Sequence, residues 1–442
     1  MSKESSSDQP RLDLPREPIH RVTGPIGRFL HIEAASGVVL LLATVVALTV
    51  ANSPWAEHYL NFWKTEVGFR VGSVEMFHSL KHWINDGLMA IFFFVVGLEV
   101  KRELVLGELN NPRRAILPIA AALGGMIVPA GIYLVLQGGE PGQRGWGIPM
   151  ATDIAFVVGC MAVLGPRIPR ILRVMLLSLA IVDDIGAILV IAIGYTEEIH
   201  TTPLLMAFVG LGAIFAIARL GVRSFTVYIL LGTLVWVGFH ESGVHATIAG
   251  VILGLMTPAK SYVSTGLFGQ ILERAHEVVH GEEWQTTSHR GTKIRRFQQA
   301  TRETIPPLEY LEDTLHPWSS FCIMPLFALC NAGVVIQLAD FAHPVAFAIT
   351  AGLVIGKPVG VLIFTWLAVK CVTKSLPEGL SWLGITGGGF LAGIGFTMAL
   401  FTAGLALEGE LLEAAKIGTI GGSVVAAVIG VVLLLLAFPK RT

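Results

Sequence analysis

Two aspartates, Asp183 and Asp184, stand side by side in LAIVDDIGAILV (179–190), and they are the only residues expected to carry charge between Val174 and Tyr195. Adjacent helical residues are separated by about 100° around the axis, so both carboxylates can border one cavity without stacking. Two buried carboxylates without a cation cannot comfortably both stay ionised, which makes a proton and a small cation rivals for the same oxygens. Carboxylate oxygen is a suitable ligand for a hard cation such as Na+. Such a pair is fitted for cation/proton exchange, or, more simply, for pairing with a buried cation that ties helices together.

Further charges sit in equally apolar surroundings. Asp153 follows Thr152 in ATDIAFVVG (151–159), Lys357 lies in GLVIGKPVGV (352–361), and Asp86 lies in WINDGLM (83–89). Ionisable groups inside a membrane are costly and usually face the bundle interior or a water-filled path. Lys357 has about twelve apolar residues on either side, too far from an interface for snorkelling. It therefore calls for a carboxylate partner, Asp183 or Asp153.

The surroundings of these residues are those of an integral membrane protein. Of the 442 residues, 53% are hydrophobic and 14% charged, against roughly 25% charged in soluble chains. A helix needs about 20 apolar residues to cross a hydrocarbon core. Twelve segments meet that need, near 33–52, 82–100, 115–137, 145–165, 174–195, 203–219, 224–239, 243–258, 318–337, 345–369, 384–407 and 417–438. The short alternating strands of a membrane barrel are not evident, so the fold expected is an all-α integral membrane protein of about twelve transmembrane helices. Residues 1–28 read as a cytoplasmic tail, 29–438 as the membrane domain, and 259–317 as a long cytoplasmic loop with some helix.

Orientation follows from the loops. Alternate segments, counted from the N-terminal tail, hold 25 Lys and Arg and the intervening ones hold 5; without the long loop the contrast is 18 against 5. Both termini are expected in the cytoplasm. The net charge of −1 gives no reason to expect nucleic acid. GKP at 356–358 lacks the glycine spacing of a nucleotide-binding loop, so no nucleotide is expected. Cys160, Cys322, Cys330 and Cys371 lack metal-site spacing and read as small buried hydrophobes.

The fourth and eleventh segments are the ones unfit for continuous helix. The fourth combines Pro149, Thr152, Asp153 and Gly159; the eleventh holds Gly387, Gly388, Gly389, Gly393 and Gly395. Two interrupted segments in corresponding halves point to a mid-membrane binding site. Freed carbonyls can ligate cations there, and Asp153 and Lys357 can offset the partial charges of half-helix ends.

GLEVKREL (97–104), ATDIAFVVG, LAIVDDIGA (179–187), SGVHAT (242–247), LHPW (315–318), GKPVG (356–360) and GIGFTM (393–398) occur in collinear order. Together they resemble the NhaA-type sodium/proton antiporters from about residue 25 to 437. The resemblance implies a fold of inverted repeats, about 115–195 and 345–438, with two discontinuous helices that cross. It implies Asp183 and Asp184 as the Na+-binding and proton-carrying pair, Asp184 being the more directly needed for the ion. Thr152 and Asp153 would line the crossing, and Lys357 would pair with Asp183 or balance the helix ends. The implied activity is electrogenic, alkali-activated exchange of Na+ or Li+ for protons by an inner-membrane homodimer without a cofactor. A cytoplasmic funnel of Glu99, Glu103, Glu312 and His316 would set the pH response, and His245 is a further candidate. In LEYLEDTLHPW, Glu309, Tyr310 and Asp313 stand where better-known members carry basic residues and a second histidine.

Two other readings were open to these residues. A sodium-coupled symporter of organic anions needs a larger, positive pocket, for which Lys357 alone qualifies. An intramembrane aspartyl protease needs a dyad sharing one proton; Asp153 and Asp183 imitate one, but the GxGD signature is missing.

Overall fold

A computed structural model describes residues 33–71, 74–196, 199–222, 224–280, 290–336 and 338–439. The tail expected at 1–28 lies outside the described residues. The apolar helix α1 (Glu33–Ala51) turns by 115° into the short amphipathic α2 (Ala56–Lys64). A hairpin follows in which β1 (Glu66–Val71) pairs antiparallel with β2 (Val74–Ser79), Glu66 opposite Ser79. Apolar periodicity gave no hint of it, because the segment is short and lies outside the long runs.

Ser79 opens α3 (Leu80–Val105) by accepting a hydrogen bond from the His82 amide, and a π-helical turn over Trp83–Leu88 interrupts its first half. Asn111 caps α4 (Pro112–Gln137), whose proline at the first position loses no helical bond. The fourth apolar segment is broken: α5 (Pro141–Met150), a 3-10 helix, meets α6 (Ile154–Leu164) at a bend of 41°. Next come α7 (Arg170–Gly194), α8 (Thr201–Arg219), α9 (Phe225–Glu241) and α10 (Thr247–Met256). The loop expected at 259–317 carries α11 (Thr265–His280), α12 (Arg290–Thr304) and α13 (Pro307–Trp318). A π turn joins α13 to α14 (Met324–Asn331), and α15 (Pro344–Thr373) follows. Then α16 (Trp382–Ala392) and α17 (Phe396–Ala406) meet at a bend of 45°, and α18 (Gly409–Ala437) closes the described chain.

Each of the twelve expected segments falls at least partly on a helix or a bent helix pair, but the count of spans is smaller by length and composition. Among the described residues, six helices are long and apolar enough to cross a membrane, or nine if each bent pair is one span. The shortfall is at α9 and α10, which are short, and at 318–337, where helix ends at Asn331. Apolar side chains such as Leu41, Leu42, Val45, Leu205, Met206 and Val209 are exposed on the helix exteriors, as a lipid-facing surface requires. Cys330 is buried, whereas Cys160 and Cys322 are half-buried and Cys371 is exposed, so the expectation of four buried cysteines is corrected. An apolar run in a membrane protein has a lipid face as well as a core face.

Close packing depends on glycine at two contacts. Gly124 of α4 and Gly360 of α15 meet backbone to backbone: a Cβ on either would overlap the other's carbonyl. Gly97 of α3 similarly faces Val251 and Gly254 of α10. Small residues let membrane helices approach this closely. The α4–α15 contact matters most here, since it carries Lys357 into the centre.

Gly124→Val should lower stability in detergent by about 1–3 kcal/mol through overpacking. Gly131→Ala, on the same helix with nothing near its added Cβ, should leave it unchanged or raise it by up to ~1 kcal/mol. Thermal unfolding of both variants checks the pair.

Candidate functional site

The two breaks face each other. α17 lies against α5 and α16 against α6, so that residues 151–153 meet residues 393–395. The Asp153 amide donates to the Ile394 carbonyl at 2.7 Å, joining one break to the other. The Asp153 carboxylate caps both following helices. Its Oδ1 accepts from the Phe156 amide at 3.2 Å in α6, and its Oδ2 accepts from the Thr397 amide at 3.0 Å and from the Thr397 hydroxyl in α17. A buried carboxyl group thus sits where two helices present their unsatisfied N–H groups.

The opposite ends are met by donors. Lys357 Nζ donates to the Met150 carbonyl, the last of α5, and Thr152 Oγ1 lies 2.8 Å from the Ala392 carbonyl, the last of α16. Both groups also reach Asp183: Lys357 Nζ and Thr152 Oγ1 are each 2.6 Å from Asp183 Oδ2. The Thr152 hydroxyl has one proton and donates it to one of its two acceptors. Lys357 and Asp183 have fully buried side chains, so Lys357 is not snorkelling. Of the two partners open to it, Asp183 is the one it takes; Asp153 is engaged by Thr397 instead.

Lys357 reaches this point through local irregularity. Pro358 has no amide hydrogen for a regular helical bond, and the preceding turn, Gly352–Gly356, is π-helical, with the Lys357 amide bonding to the Gly352 carbonyl. Gly125 packs against the side chain: a Cβ there would lie 3.4 Å from Lys357 Cε, in van der Waals contact.

Asp183 Oδ1 has no hydrogen-bond partner among the described residues. The Asp184 carboxylate, also buried, forms no hydrogen bond or ion pair among the described residues. The charges that act on Asp184 are those of Glu99, Asp183 and Asp153, against the single cation Lys357. One carboxylate is therefore left uncompensated next to a paired one that keeps a free oxygen. Chemically, the site can take up a proton or a small hard cation.

Glu99 links this centre to α13. Its Oε1 lies 4.0 Å from His316 Nε2. Glu312, a turn before His316, is buried and bridged to Arg102 at 2.5 Å. Burial pushes the Glu312 carboxyl above its ordinary range; Arg102 opposes that, and Asp313 and Glu309 add to it. Glu103 is turned elsewhere, accepting from the Ser178 hydroxyl at 3.1 Å and the Glu108 amide at 3.0 Å. His245 is apart from all four, its Nε2 being 3.1 Å from the Tyr195 carbonyl. Ser178 and Tyr195 are roughly 25 Å apart along α7 at 1.5 Å per residue.

Asp86 lies in the first turns of α3, within a helix long and apolar enough to span, beside His82 at 3.4 Å and His240 at 3.7 Å. Arg102, Ser178, Thr397 and the carbonyls of Met150, Ala392 and Ile394 were not singled out by sequence. Thr397 lay within GIGFTM, and Arg102 within GLEVKREL, but no rule of residue type marks either one.

The profile of a family described as Na+/H+ antiporter 1 matches residues 27–434. The chain is 56% identical over 432 residues to a Na(+)/H(+) antiporter NhaA of Rhodopirellula baltica, covering 98% of each chain. It is 52% identical over 429 residues to a Na(+)/H(+) antiporter NhaA of Rhizobium meliloti, covering 97% of this chain and 98% of the relative. To Na(+)/H(+) antiporter NhaA 1 of Acidiphilium cryptum it is 50% identical over 441 residues, covering 100% and 98%.

Removing one partner of a buried ion pair leaves the other charge uncompensated, at a cost of about 3–5 kcal/mol. Lys357→Met should therefore destabilise by about that amount, and adding Asp183→Asn should recover most of it. Unfolding of the two single variants and the double variant measures the coupling.

Proposed function

We propose, from the premise that the chain belongs to the Na+/H+ antiporter 1 family, that it exchanges Na+ or Li+ for protons electrogenically through Asp183 and Asp184. The observation that carries this reading is the inequality of the two carboxylates. Asp183 is held by Lys357, and the Asp184 carboxylate has neither hydrogen bond nor ion pair among the described residues. Antiport requires that the empty, uncompensated site be costly to move through the membrane. An excess carboxylate at low dielectric meets that requirement, and either a proton or Na+ relieves it.

In the proposed cycle, protons from outside neutralise the pair and the site turns inward. At cytoplasmic pH the protons leave, Na+ takes their place on the carboxylate oxygens, and the site returns. Two carboxylates offer more proton places than one Na+ fills, which favours electrogenic exchange. Asp153, Thr152 and Lys357 act as positioning residues: they offset the half-helix ends and so permit irregular backbone at membrane depth. The surrounding architecture in this reading is a twelve-span fold of inverted repeats, 115–195 and 345–438. It works as a homodimer in the inner membrane with both termini cytoplasmic.

The pH response is assigned to Glu99, Glu312 and His316, with Glu103 holding the neighbouring turn. Burial keeps Glu312 protonated to higher pH than usual, and Arg102 favours its ionised form. Rising pH ionises Glu312 and strengthens the bridge between α13 and α3, the helix that carries Glu99.

Two measurements follow. In liposomes with an acid interior and a trapped pH dye, Na+ added outside at alkaline pH should alkalinise the lumen with the wild type. With Asp184→Asn the signal should fall to that of empty liposomes; an equal response from both assigns the ion site elsewhere. Arg102→Met removes the cation that favours ionised Glu312, so the onset of exchange should move to higher pH. An unmoved onset removes Glu312 from the pH response.

A further inference from the structure

We propose that His78, His82, His240 and Asp86 form a binding site for a divalent transition-metal ion of the Zn2+ class, remote from the aspartate pair. The four residues come from three elements. His78 is on β2, His82 and Asp86 are one turn apart at the start of α3, and His240 is near the end of α9. The ligand nitrogens of the three histidines all lie within 4.8 Å of one another. Asp86 Oδ2 is 3.4 Å from His82 Nε2 and 3.7 Å from His240 Nδ1.

These distances favour ligation over hydrogen bonding. A good N–H···O bond is about 2.7–3.2 Å long, and both contacts to Asp86 exceed that range. Ligands at about 2.0–2.1 Å from one tetrahedral ion are separated from each other by roughly 3.4 Å. The two contacts of Asp86 are already near that spacing. The rings of His82 and His240 are 5.3 Å apart and those of His78 and His240 5.6 Å apart, each pair inclined steeply, as two imidazoles on one ion would be. His78 and His82 are stacked at 4.2 Å, so binding needs the rings to turn; the histidine nitrogens, within 4.8 Å of one another, close by up to about 1.4 Å, and Asp86, outside that group, closes on His78 by more.

The surroundings hold the ligands in place. The Trp236 ring lies parallel to His240 at 5.5 Å, and its indole N–H donates to the Asp86 carbonyl. Trp83 stacks on Trp236 and donates to the Val67 carbonyl of the hairpin. These contacts pack the His240 ring and fix the Asp86 backbone, and so hold two of the four residues in place. The His82, Asp86 and His240 side chains keep 33%, 27% and 16% of their surface exposed, so an ion can enter from solution. Three imidazoles and one carboxylate select Zn2+, Ni2+ or Cu2+ over Na+, Mg2+ or Ca2+, which prefer all-oxygen sets. Loop charge puts the hairpin and the end of α9 on the external side, and a bound ion would staple the hairpin to α3 and α9.

The test is a Zn2+ titration of the purified full chain, carried on an affinity tag without histidine, by calorimetry. The wild type should bind one Zn2+ per chain and unfold at higher temperature with it. His78→Gln and His240→Gln, on separate elements, should each weaken binding by more than the roughly 10- to 100-fold typical of losing an outer partner. Both should keep Na+/H+ exchange in metal-free buffer, which establishes their folding. If one variant fails to exchange, the other decides. Wild-type binding below one ion per chain, or unchanged affinity in the folded variants, overturns the site.

Discussion

The central constraint is a lysine with no access to water. Lys357 is charged, wholly buried and surrounded by helices whose own ends carry partial charges. In such a place each charge needs a counter-charge, and each freed backbone group a partner. One small set of residues meets both needs. Lys357 binds Asp183 and the end of α5; Thr152 reaches Asp183 and the end of α16; Asp153 caps α6 and α17. Moving any one of them disturbs the two breaks together, because each residue belongs to both the charge balance and the backbone balance.

The same set explains why Asp184 stands apart. Once Lys357 is committed to Asp183, no second cation among the described residues pairs with its neighbour. Lys357 depends in turn on the glycine contact of α4 and α15 and on the π turn that precedes Pro358. Membrane helices gain little from hydrophobic burial against one another, since lipid is as apolar as leucine. Shape therefore decides which helices touch, and glycine decides how closely. The bent segments are supported from the side by aromatic packing: Phe401 of α17 contacts Phe93 of α3 and Phe327 of α14.

The outer parts of the chain are attached to this centre through single helices. α3 carries two of these parts, with the histidine cluster near its start and Glu99, Arg102 and Glu103 near its end. Its π turn at Trp83–Leu88 lies between those two regions and includes Asp86. At the other side, Arg302 of α12 lies over both Phe225 of α9 and Tyr310 of α13, at 4.9 Å from each ring. The long loop thereby returns to α9 and α13. Tyr310, in a stretch that departs from the family pattern, has a packing role there.

The sequence by itself determined the membrane class, the apolar segments, the two interrupted ones and the unusual charges within them. These are one-dimensional signals: long apolar runs, glycine and proline inside them, and charges too expensive to leave unexplained. It also narrowed the partner of Lys357 to Asp183 or Asp153. Only the tertiary structure decided between those two, because helices distant in sequence set the distances. The same reason hid Thr397 as the second partner of Asp153, Arg102 as the partner of Glu312, and the meeting of His78, His82 and His240 from separate elements. The hairpin and the true length of α10 were hidden for a different reason. Short elements carry too few residues for periodicity to reveal them, and the contacts that hold them are made across the fold.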